Sequence, residues 1–205
     1  MRLYYKPGAC SLASRIVLIE LGLDFNAVKV DTDAGLTEHG QDFRAVNPRG
    51  YVPALELETG EVITENPAVL QYLGDLAPGG LTPPTGTLER VRLQEALNFI
   101  SSELHKAFSP FFHGEARGDR VEPARAALAR RIGDVDAMLA DGRPFLLGAR
   151  ASVADIYLFV VLNWAGFIAF NLTPWPSVSA FMDRMIARPA VRIALQQEGF
   201  GRTEA

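Results

Sequence analysis

Apolar and polar positions follow a mixed pattern as far as about residue 78 and a purely helical one afterwards. Leu3-Tyr4-Tyr5 begins a short strand, and Pro7-Gly8 is a turn. From Ser11 to Leu21 the period is helical, with Leu12, Ile16, Ile19 and then Leu23 near one face, and Gly22 is placed to close that helix. Phe25 to Val30 alternates like a strand. Ala54 to Glu58 alternates strictly, and Thr59-Gly60 turns the chain into Val62-Ile63, which predicts a hairpin. Pro67 sits where a helix tolerates proline and opens a helix through Leu76. The order β-α-β, then β-β-α, predicts a small sheet with helices packed on it.

Six of the nine residues from Pro78 to Gly86 are Pro or Gly, so this stretch continues neither helix nor strand. It predicts a linker over 79–86, between a domain at 1–78 and an all-helical one at 87–205. In the latter, Leu88 to Phe108 carries Leu93, Ala96, Leu97, Ile100, Leu104 and Ala107 on one face. Leu128, Ile132, Val135 and Leu139 form the next stripe. Ile156 to Phe170 is apolar all round and predicts a central buried helix. Ser152-Val153-Ala154-Asp155 before it reads as a helix start, with Asp155 structural. Short helices are expected over 177–187 and 190–197.

Composition excludes several classes. The chain has 205 residues and a formal net charge of −4, with 24 acids against 20 bases, which argues against a nucleic-acid partner. The N-terminus has no apolar signal core, and Asn163 interrupts an apolar stretch already too short to span a bilayer. A single cysteine allows no internal disulfide and fits a reducing, cytoplasmic setting. His39, His105 and His113 have no metal-ligand spacing, so no metal is expected. Phosphate-loop, dinucleotide and serine-hydrolase motifs are absent.

Four places remain for chemistry. Cys10 follows a strand and a turn and starts a helix, whose N–H groups and partial positive charge are expected to lower its thiol pKa. A lone cysteine also reads as a small buried hydrophobe. A dithiol enzyme needs a second cysteine three residues on, but that position is Ala13. Any redox or conjugating role therefore needs a thiol from outside. Second, Val52-Pro53 at a strand start leaves residue 52 able to pair with a peptide-like ligand, or marks a plain turn. Val52-Pro53 is also a candidate cis bond. Third, Thr64-Glu65-Asn66-Pro67 joins a strand to a helix start, which favours a carboxylate, while Glu65 suits an amino group; ordinary capping is the alternative. Fourth, Asn98, Ser102 and His105 at i, i+4, i+7 form a polar stripe flanked by Lys106, or a solvated face. Phe99 and Glu103 lie to the side, suited to a subunit contact.

Together these features resemble the cytosolic glutathione S-transferases, most closely the bacterial beta class. The resemblance rests on Tyr5-Lys6-Pro7-Gly8-Ala9-Cys10-Ser11-Leu12, on Asn47-Pro48-Arg49-Gly50 with Val52-Pro53-Ala54-Leu55, and on Thr64-Glu65. Leu97-Asn98-Phe99, Ser102 to Lys106 and the Ser152–Asp155 motif extend it over the whole chain. It implies an α/β thioredoxin-like N-terminal domain, an all-α C-terminal bundle, a homodimer and a role in detoxification. It implies glutathione as cosubstrate, with Cys10 facing its sulfur and forming a mixed disulfide with it. Val52 would pair with its backbone, and Glu65 and Asn66 would hold its γ-glutamyl end. Asn98, Ser102, Glu103, His105 and Lys106 would supply contacts from the second domain, with Cys10 and His105 catalytic. The expected partners are a small apolar electrophile or a disulfide, with Phe108, Phe111, Trp164 and Phe167 as candidates for an apolar pocket or for core.

There are departures from the family pattern. Asn66 stands where Ser is usual, Tyr51 where Gln is common, and Gly35-Leu36 lacks a lysine that meets the glycyl carboxylate. The function expected is transfer of the glutathione thiol to electrophiles, thiol–disulfide exchange through Cys10, or both. The rivals are a glutathione-dependent lyase, dehalogenase or peroxidase, and a non-enzymatic ligand carrier or stress-response scaffold.

Overall fold

A computed structural model of the chain describes residues 1–77 and 80–200, so Pro78, Gly79 at the start of the expected linker, and residues 201–205 lie outside the described residues. The chain divides into two compact units, Met1–Thr82 with Ala187–Ala205, and Pro83–Ile186.

The first unit runs β1 (Arg2–Tyr5), α1 (Ser11–Glu20), β2 (Asn26–Asp31), β3 (Leu36–Thr37), β4 (Ala54–Glu56), β5 (Val62–Thr64) and α2 (Asn66–Asp75). The sheet order is β3-β2-β1-β4-β5. β1 and β2 are parallel, joined by α1 as their crossover, and the other pairs are antiparallel. This is the β-α-β, β-β-α order that the pattern predicts, with β3 added. Two residues are too short to show alternation, so β3 leaves no trace in the pattern. The expected strand over 54–58 stops at Glu56, because Gly60 N–H bonds to Leu57 C=O and turns the chain.

Leu3 and Leu55 are fully buried, as are Leu12 and Ile16 of α1. Tyr4, Val28, Val30, Phe43, Val52 and Ala54 form a second buried cluster. α1 ends at Gly22, whose φ of 63° only glycine adopts without strain. Leu23 N–H bonds to Leu18 C=O and Gly22 N–H to Ile19 C=O, a Schellman closure.

The second unit holds α3 (Leu88–Phe99), a π-helical turn (Ile100–Leu104), α4 (His105–Phe112), α5 (Val121–Leu139), α6 (Val153–Asn163) and α7 (Pro176–Ile186). The stripe Leu128, Ile132, Val135 and Leu139 is buried as expected, and α6 is buried on every side. α6 ends at Asn163 rather than Phe170. Ala165, Gly166 and Phe167 bond to carbonyls three residues back, and Ala169 sits at φ 47°. Hydropathy gives no warning of this stop, because the residues stay apolar while the backbone leaves the helix. Ser152 and Asp155 form the expected reciprocal cap.

α8 (Pro189–Gln197) belongs to the first unit and packs against α1. Behind it, Glu198 lies 3.1 Å from Nε of the buried Arg15, and Arg188 pairs with Glu20. The Arg15–Glu198 approach is off the hydrogen-bonding angle, so that contact is held by charge.

Candidate active site

Three backbone devices of the first unit converge. The turn after β1 delivers Cys10 to the start of α1. The chain entering β4 delivers Val52 through a cis Val52-Pro53 bond. The end of β5 delivers Glu65 and Asn66 to the start of α2. Two hydrogen bonds join them: Cys10 Sγ–H donates to Val52 C=O at 3.5 Å, and Asn66 Nδ2–H donates to Cys10 C=O at 3.2 Å. Ser14 Oγ–H donates to Asn66 Oδ1 at 3.0 Å, so the buried Asn66 side chain ties the two helix starts together. Helix starts carry partial positive charge and attract anions.

Glu65 has φ 66° and ψ 111°, a conformation that costs a non-glycine residue energy and that clusters at functional sites. Its Oε1 accepts from Tyr51 Oη–H at 2.8 Å and lies 3.9 Å from Arg49. The carboxylate is therefore aimed, and it remains largely exposed. Tyr51, a departure from the family pattern, supplies this orientation. Its own hydroxyl is held above the usual tyrosine range, chiefly by the hydrogen bond to Glu65.

The thiol corrects a sequence expectation. Burial pushes Cys10 up to about 12, against the lowering influence of the Cys10 and Ser11 backbone N–H groups. The expected depression assumed a solvated sulfur. Here desolvation of the anion outweighs the helix start, and the S–H is occupied by Val52.

The turn before Cys10 has a partner that no local motif reveals. Gly8, at φ 74°, donates its N–H to Glu198 Oε2 at 2.9 Å. Burial lifts the Glu198 carboxyl to about 6, despite Gly8 and Arg15. Arg15 also stacks 4.0 Å over the Tyr5 ring and donates to Gln197 Oε1 at 3.1 Å. A separation of 190 residues leaves no spacing signal for the Gly8–Glu198 bond.

In the second unit, Asn98, Ser102 and Lys106 are exposed, and Glu103 pairs with Arg131 of α5 at 2.8 Å. His105 does not join the solvated stripe. Its N–H bonds to Ile100 C=O, five residues back, and this π turn inserts one extra residue. One extra residue rotates the start of α4 by about 100°. His105 thereby meets Tyr157, with Nδ1 2.9 Å from the phenol oxygen, and packs edge-on against Trp164 at 4.6 Å. Of the aromatic candidates, Phe108 and Trp164 are buried core, Phe111 is partly buried, and Phe167 is 49% exposed.

Burial, helped by Lys106, lowers His105 to about 4. His105 is then neutral at pH 7, and its contribution to stability is complete above the ordinary value of about 6.5. That contribution is expected to fade as pH drops from about 6.5 towards 4, because the unfolded chain takes up the proton first. Ring-carbon NMR shifts recorded from pH 8 to 5 should show no His105 titration. A midpoint near 6.5 would contradict this.

Among the described residues, no helix is long and apolar enough to cross a membrane, and no group of three or more His, Cys, Asp or Glu is placed to hold a metal ion. Two family models match the chain: "Glutathione S-transferase, N-terminal domain" over residues 8–76 and "Glutathione S-transferase, C-terminal domain" over residues 99–189. Glutathione S-transferase GstA of Escherichia coli O157:H7 is 44% identical over 200 residues, covering 97% of this chain and 99% of that protein. A sphingomonad glutathione S-transferase solved with glutathione is 44% identical with a TM-score of 0.93, covering 98% of this chain and 100% of that one. A beta-class enzyme of Sphingomonas chungbukensis is 45% identical with the same TM-score and coverage. The chain belongs to the glutathione S-transferase family.

Proposed function

We propose that the glutathione transfer of this enzyme is organised by the joined starts of α1 and α2. The observation that carries this reading is the pair of hydrogen bonds linking Cys10, Val52 and Asn66. They gather a thiol, the peptide group at the entry to β4 and an anion-binding helix start, chemistries complementary to those of a cysteinyl γ-glutamyl peptide. The Val52 peptide group meets the ligand's backbone. The N–H groups opening α2 meet the γ-glutamyl carboxylate, and Glu65 meets its ammonium. Asn66 holds α1 and α2 in register. Cys10, a neutral thiol whose S–H is held by Val52 C=O, lies beside the ligand's sulfur and serves as its partner in disulfide exchange. Asn98, Ser102, Glu103, His105 and Lys106 are the proposed contacts from the helical unit, with His105 and Cys10 the proposed pair flanking the sulfur. The acceptor is a small apolar electrophile or a disulfide. The exposed apolar Leu88 and Val91, one turn apart on α3, suit a homodimer, and the single free thiol suits the cytoplasm.

Calorimetry with reduced glutathione tests the ligand assignment. Wild-type protein should bind, and Glu65→Ala should bind about tenfold or more weakly, because a hydrogen bond to a charged group is removed. Absence of binding by the wild type, or equal affinity in Glu65→Ala, would overturn it. Light scattering reads the dimer.

A further inference from the structure

His105 has two ring nitrogens, and Tyr157 occupies one of them. We propose that Tyr157 is a positioning residue, whose hydroxyl donates to His105 Nδ1 and fixes the ring as the Nε2–H tautomer, a hydrogen-bond donor to the sulfur of bound glutathione. The proposal rests on the proposed function in one respect, that His105 faces glutathione.

Three contacts fix the imidazole. The π turn sets its Cα through the bond from His105 N–H to Ile100 C=O. Trp164 packs edge-on to the ring, with centroids 4.6 Å apart. The Tyr157 hydroxyl lies 2.9 Å from Nδ1, on a side chain only 1% exposed. A buried phenol on α6 cannot follow a rotating ring, so the geometry selects one orientation. Whichever nitrogen bonds to the partner decides what the other offers.

The direction of that bond follows from acidity. A phenol ionises near pH 10, whereas a neutral imidazole N–H is a far weaker acid and its bare nitrogen a good base. The O–H therefore donates and Nδ1 accepts. The opposite arrangement leaves Nε2 as a bare lone pair, able to accept a proton or a hydrogen bond but not to donate one to a thiolate. The surroundings oppose its protonation: Trp164 and the Tyr157 ring flank the imidazole, Phe108 backs Trp164, and Lys106 adds like charge. A neutral N–H donor needs no charge on the ring. The thiol proton then goes to solvent, and His105 keeps the same proton throughout.

Long-range 1H–15N NMR on histidine-labelled protein reads the tautomer directly. Wild type should show Nε2 protonated and Nδ1 unprotonated, and Tyr157→Phe, which removes one oxygen, should show a mixture. In conjugation of 1-chloro-2,4-dinitrobenzene, Tyr157→Phe should lower kcat about tenfold and raise the thiol limb of the pH profile by about one unit. The KM for glutathione should stay within about twofold, the mark of an interaction that matters mainly in the transition state. Wild type protonated on Nδ1, or a variant with unchanged tautomer and pH limb, would overturn the proposal. If Tyr157→Phe loses its near-ultraviolet circular dichroism, the wild-type tautomer still decides. Adding glutathione should shift the wild-type Nε2 signal. No shift would overturn the placement of His105 at the ligand, an outcome separate from the tautomer of the free protein.

Discussion

Replacing Cys10 with alanine is expected to abolish glutathione adduct formation and thiol–disulfide exchange, while conjugation of an aryl halide falls by less than about tenfold. The split follows from the thiol's surroundings. Burial pushes Cys10 to about 12, and its S–H is held by Val52 C=O. Such a thiol is almost wholly protonated at pH 7, so conjugation relies on the glutathione sulfur rather than on Cys10 as nucleophile. Exchange has no substitute, because Cys10 is the only cysteine. In that step the Cys10 thiolate attacks glutathione disulfide; the Cys10–glutathione bond forms, the old S–S bond breaks, and one glutathione leaves as thiolate and is protonated. Intact mass after incubation with glutathione disulfide reads the adduct, and iodoacetamide labelling reads the thiolate. Wild-type labelling should be slow at pH 7 and rise with pH beyond 9. An adduct on Cys10→Ala, a hundredfold loss of conjugation, or labelling at the rate of a free cysteine would each contradict the assignment.

Much of the fold was legible because it is written locally. Gly22, the Thr59-Gly60 turn, Pro67 and the Ser152–Asp155 cap all lie where their signals predict. Each depends on residues within a few positions of itself, the range over which propensity and capping act. The candidate site was legible in part for the same reason: Cys10, Val52 and Glu65 each sit at a strand or helix end that the pattern marks.

What stayed hidden depends on tertiary neighbours or on backbone irregularity. The Cys10 thiol departs from its expected acidity because burial of the sulfur, and its bond to Val52 C=O, cannot be read from a strand–turn–helix order. The spacing sets His105 on one polar stripe with Asn98 and Ser102 only because a period of 3.6 residues assumes an unbroken α-helix. The π turn breaks that assumption and turns the ring onto Tyr157. Residues 164–170 keep the hydropathy of α6 without its backbone, so periodicity ran on past the true end. Glu198 left no signal, since the Gly8 loop it holds lies at the opposite end of the chain.

Removing the carboxylate of Asp155 is expected to have the largest effect on stability. Asp155 is fully buried and accepts three hydrogen bonds, from Leu146 N–H at 2.7 Å, Ser152 N–H at 2.8 Å and Ser152 Oγ–H at 2.6 Å. Burial lifts its pKa, and those three donors oppose the lift. Asp155→Ala leaves all three donors without this acceptor, at about 1 kcal/mol or more each, so the loss should reach about 3–5 kcal/mol. Asp155→Asn keeps one acceptor oxygen but points an NH2 at donors, so about half of that loss should return. For a chain of this size each kcal/mol moves the midpoint by about 2–4 °C, which puts the alanine variant roughly 10 °C below wild type. The cost falls on the start of α6, the helix that carries both Tyr157 and, at its end, Trp164. A loosened cap should therefore also free the His105 ring. If thermal melting of Asp155→Ala stays within about 3 °C of wild type, the cap does not anchor α6. If the melt falls while the His105 tautomer is unchanged, the ring is held by Tyr157 and Trp164 independently of the helix start.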